Sequence, residues 1–284
     1  MEVITEKARM RLLVDRAKAA GRTVGLVPTM GFFHQGHLEL MRRARADCDL
    51  VVVSLFVNPT QFTPGEDFAD YPRDFERDKG MAEEVGVDFI FAPDPEEMYP
   101  EGFSTRVEVE GLSDLMCGLQ RPGHFSGVAT VVSKLFNIVP AQKAYFGQKD
   151  AQQLAVLRRT AQDLDFGVEI IAVPTVREPD GLAMSSRNTY LSPSDRQNAL
   201  VLSRALEEAA GLIEEGETSA DVVARAIEDV FEAFPAVNLE YIAICDNIFL
   251  HPLDEMKGQV LIALAARVGK ARLIDNMVFD LGPK

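Results

Sequence analysis

The stretch Thr23-Val24-Gly25-Leu26-Val27-Pro28-Thr29-Met30-Gly31-Phe32-Phe33-His34-Gln35-Gly36-His37 decides how the rest of the chain is read. Residues 23–27 form a β-branched run that Pro28 ends, and Leu38, Met41, Ala44 and Arg45 follow Gly36 at helical spacing. The stretch therefore spells strand, loop and helix. The next run, Leu50 to Val57, is apolar almost throughout, as a strand buried on both faces would be. Two parallel strands joined through a helix are the expected opening of an α/β sheet.

Outward from this unit the alternation continues. A helix is expected from about Thr5 to Ala20, capped by Thr5 and stopped by Gly21. Helices near Phe75 to Val85, Val128 to Ile138 and Asp150 to Gln162 alternate with strands near Asp88 to Phe91, Ala144 to Phe146 and Val168 to Val173. Such alternation predicts an α/β fold, a Rossmann-like doubly wound parallel sheet with right-handed crossovers. After Pro174 the rhythm changes. Ser192-Pro193-Ser194-Asp195 reads as an N-cap with Pro at the first helical position, then two helices to about Phe234. Three strands near Leu239 to Cys245, Gln259 to Ala266 and Ala271 to Asn276 would close a smaller C-terminal α+β domain. The expected division is 1–175 and 176–284, with the Pro174 to Met184 stretch facing an interdomain cleft.

Composition narrows the partners. The 284 residues are 47% hydrophobic and 26% charged, the balance of a globular protein of enzyme size. A formal charge of −15 repels nucleic-acid backbones and anionic lipid alike, so neither nucleic acid nor membrane is expected. Cys48, Cys117 and Cys245 are scattered without a C-x-x-C pair, which suits a reducing compartment. Met1 to Leu13 mixes charges with apolar residues and shows no signal-peptide core, and no apolar run approaches the roughly 20 residues of a membrane span. A cytoplasmic location follows as the expectation.

Nucleotide signatures of the commoner kinds are missing, with no G-x-x-x-x-G-K-[ST] and no G-x-G. The turn at residues 28–37 supplies another device. It lies where a parallel strand ends and a helix begins, and a helix N-terminus offers unpaired N–H groups and a positive dipole to a phosphate. His34 and His37, with Gly36 allowing close approach, can donate to phosphoryl oxygens whose charge grows in a transition state. H-x-x-H could instead hold a metal, but zinc needs a third protein ligand, and His37-Leu38-Glu39 lacks the P-C-x-x-C partner of a deaminase. His251, beside Pro252, reads as a structural residue of a surface turn.

H-x-G-H after the first strand resembles the signature of the nucleotidyltransferase superfamily, and P-T-M-G-x-x-H-x-G-H is similar to the pantothenate synthetase family within it. Further segments match in order: Val57 to Phe62, Tyr71-Pro72-Arg73, Arg121-Pro122-Gly123-His124-Phe125 through Phe136, Phe146-Gly147-Gln148-Lys149-Asp150 with Gln153, and Met184-Ser185-Ser186-Arg187-Asn188. The likeness spans Pro28 to Asn188, while the last hundred residues match in length and pattern only. Phe32-Phe33, Gln148 and Asp74 depart from the commoner family pattern, which bears on pocket shape.

The resemblance implies a two-step ligation. The carboxylate of (R)-pantoate attacks the α-phosphate of ATP to give pantoyl adenylate and pyrophosphate; the amine of β-alanine then attacks the acyl carbon and AMP leaves. It implies His37, His34 and Lys149 as catalytic groups. ATP contacts fall to Thr29, Met30, Gly36, Gly147, Asp150, Val176, Met184, Ser185, Ser186 and Arg187. Gln61 and Gln153 resemble the family's pantoate-binding glutamines, with Asn58, Arg121 and His124 lining the same pocket. Mg2+ would take Asp150 or Asp78, directly or through water. Residues 1–175 become the ATP- and pantoate-binding domain and 176–284 a lid, in a homodimer. The rivals are a nucleotidyltransferase of the same fold acting on a phosphorylated acceptor, which would want a basic pocket where Gln61 and Gln153 stand, and a silent nucleotide-binding module, which does not require His37 and Lys149 together.

Overall fold

The computed structural model describes residues 1–282. The chain divides into two compact units, Met1–Gly147 with Val156–Pro174, and Gln148–Ala155 with Thr175 onward. The first unit carries six strands: β1 (Glu2–Ile4), β2 (Val24–Thr29), β3 (Leu50–Leu55), β4 (Phe89–Phe91), β5 (Lys143–Gly147) and β6 (Glu169–Val173). They lie in the order β1-β4-β3-β2-β5-β6, and every pair is parallel. Between them run α1 (Lys7–Ala19), α2 (Gln35–Asp47), α3 (Phe75–Glu84), the single turns α4 (Pro95–Met98) and α5 (Cys117–Gln120), α6 (His124–Ile138) and α7 (Ala151–Asp163), whose first residues belong to the second unit. Strand order reverses between β2 and β5, and the carboxyl ends of strands at such a reversal are where open α/β sheets bind ligands.

The core follows from the pattern. Leu38, Met41 and Ala44, one face of α2, bury against Val27, Val51, Val53 and Tyr145 of the sheet. Several expectations shift at their edges. Strand β2 continues through Pro28 to Thr29, because its pairing with β5 covers only Gly25 and Leu26 and leaves no ladder bond there for a proline N–H to make. Helix α1 begins at Lys7, and the carboxylate of Glu97, not Thr5, accepts the Lys7 N–H at 2.8 Å. Helix α6 starts at His124, ahead of Val128, since Gly123 takes φ +83 and turns the chain into it. Strand β1 was not expected from its three mixed residues.

The second unit holds an antiparallel sheet, β7 (Val237–Asp246), β8 (Gln259–Val268) and β9 (Ala271–Asp280) in that order. Three helices rather than two pack with it: α8 (Pro193–Ala199), α9 (Val201–Glu214) and α10 (Ala220–Glu232). The Ser192 hydroxyl accepts the Asp195 N–H at 3.1 Å, as its N-cap reading requires. Leu202, Leu206, Val223 and Ile227 bury against Val260, Ile262 and Leu264. Among the described residues no helix is long and apolar enough to cross a membrane.

Candidate active site

The turn after β2 is built on two consecutive residues of positive φ. Gly31 sits at φ +85, where a Cβ would lie 3.0 Å from Asp78 Oδ2 and 3.2 Å from Leu55 Cδ2, so the position requires glycine. Phe32 follows at φ +52, a strained conformation for a side chain of its size. Asp78, in the first turn of α3, holds that strain: Oδ2 accepts the Phe32 N–H and Oδ1 the Phe33 N–H, both at 2.6 Å. Arg77 stacks over the Phe32 ring at 5.1 Å, and Phe33 is fully buried in the sheet core. The aromatic pair thus anchors the turn. Burial pushes the Asp78 carboxyl pKa above the usual carboxylate range, against the pull of its two N–H bonds. Both Asp78 oxygens accept backbone N–H groups and the side chain is only 1% exposed, so Asp78 ties the turn. Thr29 holds the same turn, its hydroxyl donating to the Ser54 carbonyl at 2.7 Å.

The histidines are locked by the backbone that they cap. His34 Nδ1 accepts the Gly36 N–H at 3.1 Å, and His37 Nδ1 accepts the His34 N–H at 3.3 Å, a reciprocal cap at the head of α2. An Nδ1 that accepts places the proton of a neutral imidazole on Nε2. Both rings, 4.1 Å apart and half-buried, are thereby set as Nε2–H donors.

Gln61 stands at the end of a tight hydrogen-bonded chain. Asn58, 1% exposed, receives Tyr99 OH at 2.8 Å and Thr60 Oγ1 at 2.9 Å on Oδ1, and donates from Nδ2 to Gln61 Oε1 and the Gly127 carbonyl, each at 3.1 Å. That polarity turns the Gln61 amide so that Nε2, a donor, faces the Met30 sulfur at 3.0 Å. Asn58 thus supports the Gln61 amide. Arg121 Nη2 reaches Glu66 at 2.8 Å and Nη1 donates to His124 Nε2 at 2.9 Å, so His124 gives its Nδ1–H to the Gln61 carbonyl at 2.7 Å. Arg121 and His124 thus meet around the Gln61 backbone, with the Arg121 charge paired. Burial pushes the Glu66 carboxyl up, but the Arg121 guanidinium and the Thr63 N–H outweigh it and draw its pKa down to about 2. Tyr99 and Glu66 escaped the sequence reading; neither has a spacing signal linking it to Gln61.

The second unit carries the other expected residues. Gly147, the last residue of β5 and of the first unit, has no atom within 4 Å of where a Cβ would stand, and the Gln148–Asp150 turn of the second unit follows it. Lys149 is mostly buried, its ammonium 3.9 Å from Asp150, and Gln153 is half-buried on α7. The Val176 carbonyl accepts the Met184 N–H at 2.9 Å, closing a small hairpin. Ser185 Oγ then accepts the Arg187 N–H at 3.3 Å and caps the short turn Ser186–Tyr190. Asn188 donates to Glu178 at 2.8 Å and to the Ala183 carbonyl at 3.1 Å. Among the described residues no three His, Cys, Asp or Glu side chains gather into a metal cage. Of the two carboxylates expected at Mg2+, Asp78 is buried and bonded to backbone while the Asp150 side chain is 48% exposed, an arrangement that would suit an ion bound chiefly by phosphate and water.

The sequence profile of pantoate-beta-alanine ligases matches residues 2–278. The chain belongs to the pantoate-beta-alanine ligase family. The ligase is 59% identical to the pantothenate synthetase of Heliobacterium modesticaldum over 92% of this chain and 93% of that one. To that of Moorella thermoacetica it is 55% identical over 99% of each. Among solved structures, the Thermus thermophilus pantothenate synthetase superposes with a TM-score of 0.93 at 50% identity, covering both chains fully. The Francisella tularensis pantoate-beta-alanine ligase, solved with beta-gamma ATP and beta-alanine, gives 0.79 at 31% identity, again over the whole of both. The likeness read on Pro28 to Asn188 therefore extends through the C-terminal residues, and the Rossmann-like reading with a smaller second domain holds. The chain is a ligase forming a carbon–nitrogen bond, and the phosphorylated-acceptor rival is not favoured.

Proposed function

We propose that this chain condenses pantoate with β-alanine in two steps, through pantoyl adenylate, with release of AMP and pyrophosphate. The observation that carries the reading is the turn at residues 29–37, where two imidazoles are fixed as Nε2–H donors at the carboxyl end of a parallel strand. A carboxylate attacking a triphosphate brings anions together, so the chemistry calls for fixed donors and positive charge more than for a base. His34 and His37 donate to the phosphates. Lys149 meets charge that grows on the α-phosphate, and Arg187 with Ser185 and Ser186 holds the β- and γ-phosphates, within nucleotide contacts that include Met30, Gly36, Gly147 and Val176. The Gln61 amide, turned to donate, suits the oxygens of pantoate, and Gln153 is its expected counterpart. Asp150, with water and phosphate, would hold Mg2+, which would supply further charge neutralisation. The family resemblance also supports a cytoplasmic homodimer, which sedimentation equilibrium would report as twice the 31.3 kDa chain mass.

Exchange of labelled pyrophosphate into ATP tests the reading. With pantoate present and β-alanine omitted, label enters ATP; without pantoate it does not. Exchange independent of pantoate, or ADP and inorganic phosphate as products, would overturn it.

A further inference from the structure

Two adjacent residues of β9 hold the segments on which nucleotide binding depends. Asp275, 3% exposed, pairs with Arg177 through both guanidinium nitrogens, at 2.6 and 3.0 Å, and so secures the hairpin of Val176 and Met184. Asn276, 4% exposed, donates from Nδ2 to the carbonyls of Gln148 at 3.0 Å and Lys149 at 2.8 Å, and accepts Gln148 Nε2 on Oδ1 at 3.3 Å. The two donors and an acceptor of the Asn276 amide are all spent on the turn that carries Lys149. Consecutive strand residues point to opposite faces, which lets one step of β9 serve two segments. Asp and Asn are depleted in strands, and burying their polar groups costs stability unless every group is partnered. Their place in the interior of a ten-residue strand is accounted for by these partners. The Lys149 ammonium itself meets Asp150 only at 3.9 Å, too loose a contact to orient it.

We propose that Asn276 is a positioning residue for Lys149: it clamps the backbone of the Gln148–Asp150 turn so that the ammonium stands where charge develops on the α-phosphate. The inference rests on the role given to Lys149 above. Asn276→Asp keeps the shape, removes both donors and sets a carboxylate against two carbonyls. Single-turnover adenylate formation and the ATP dissociation constant are measured for Asn276→Asp, Lys149→Ala and the double variant. A displacement on the order of 1 Å predicts a roughly 100-fold slower first step with ATP affinity changed less than about threefold. On the Lys149→Ala background the Asn276→Asp change costs nothing further, because the group it positions is gone. A purely structural residue would lower the melting temperature while leaving the rate per folded molecule unchanged; that result, or losses that multiply in the double variant, overturns the proposal. Should Asn276→Asp not fold, Asn276→Ser, which keeps one donor, enters the same cycle, and a wild-type rate there is equally fatal. If the wild-type chain forms no adenylate from pantoate and ATP, the functional reading fails first, independently of Asn276.

Discussion

On the proposed reading, one ring at His37 serves two demands. Its Nδ1 must accept the His34 N–H to close the cap of α2, and that same bond leaves Nε2–H to donate to a phosphate. The two contributions differ in size. A lost helix cap costs about 0.5–2 kcal/mol of stability, whereas a lost preorganised donor costs about 2.7–4 kcal/mol of transition-state stabilisation. His37→Ala is therefore expected to melt within several degrees of wild type yet form adenylate roughly 10²–10³-fold more slowly. A thermal melt beside a quenched-flow measurement checks this, and a variant within tenfold of wild-type rate removes His37 from the reaction. The residue types at this turn were legible because Pro28, Gly31, Gly36 and the histidines are all local signals. Asp78 was not legible as the tie of the turn, since its bonds to Phe32 and Phe33 cross 45 or more positions and leave no spacing to read.

Among the elements, an ion pair joins the bonds of Asn58 to Gly127 and of His124 to Gln61 in attaching the segment between β3 and α3 to the start of α6. Glu66 and Arg121 make that link, 55 positions apart, beside the backbone of Gln61. The Glu66 carboxyl titrates near 2 in the folded chain against an ordinary value of 4.5. A depressed carboxylate pKa gives stability that is fully present above the unfolded value and lost as pH falls through the folded one. The difference in urea midpoint between wild type and Glu66→Gln should thus be full above pH 4.5 and shrink steadily toward pH 2. A difference that is constant across this range would show that charge plays no part in the contact. Element identity in this half was legible from apolar runs, β3 most clearly. Element ends were less so: Thr5 yielded to Glu97 as the cap of α1, a partner 90 positions from Lys7 that no local rule could select.

Over the whole molecule, the order of strands makes the chemistry available, because reversal between β2 and β5 brings a strand-end turn of histidines to the ligand-binding edge of the sheet. The C-terminal sheet was legible as three strands, while the break between α8 and α9 at Leu200 was not. Leu200 keeps helical dihedrals and so leaves no compositional mark. Nor could the sequence reveal that β9 would hold the Lys149 turn, since Asn276 and Lys149 lie 127 positions apart and leave no spacing to read. The central claim, attack of a carboxylate oxygen on the α-phosphate, leaves its trace in one atom. When both carboxylate oxygens of pantoate carry ¹⁸O and the full reaction runs with ATP and β-alanine, the oxygen that bonded to phosphorus departs with AMP. Mass spectrometry should find one ¹⁸O in AMP and one retained in the amide carbonyl of pantothenate; label in inorganic phosphate, or none in AMP, would contradict the account.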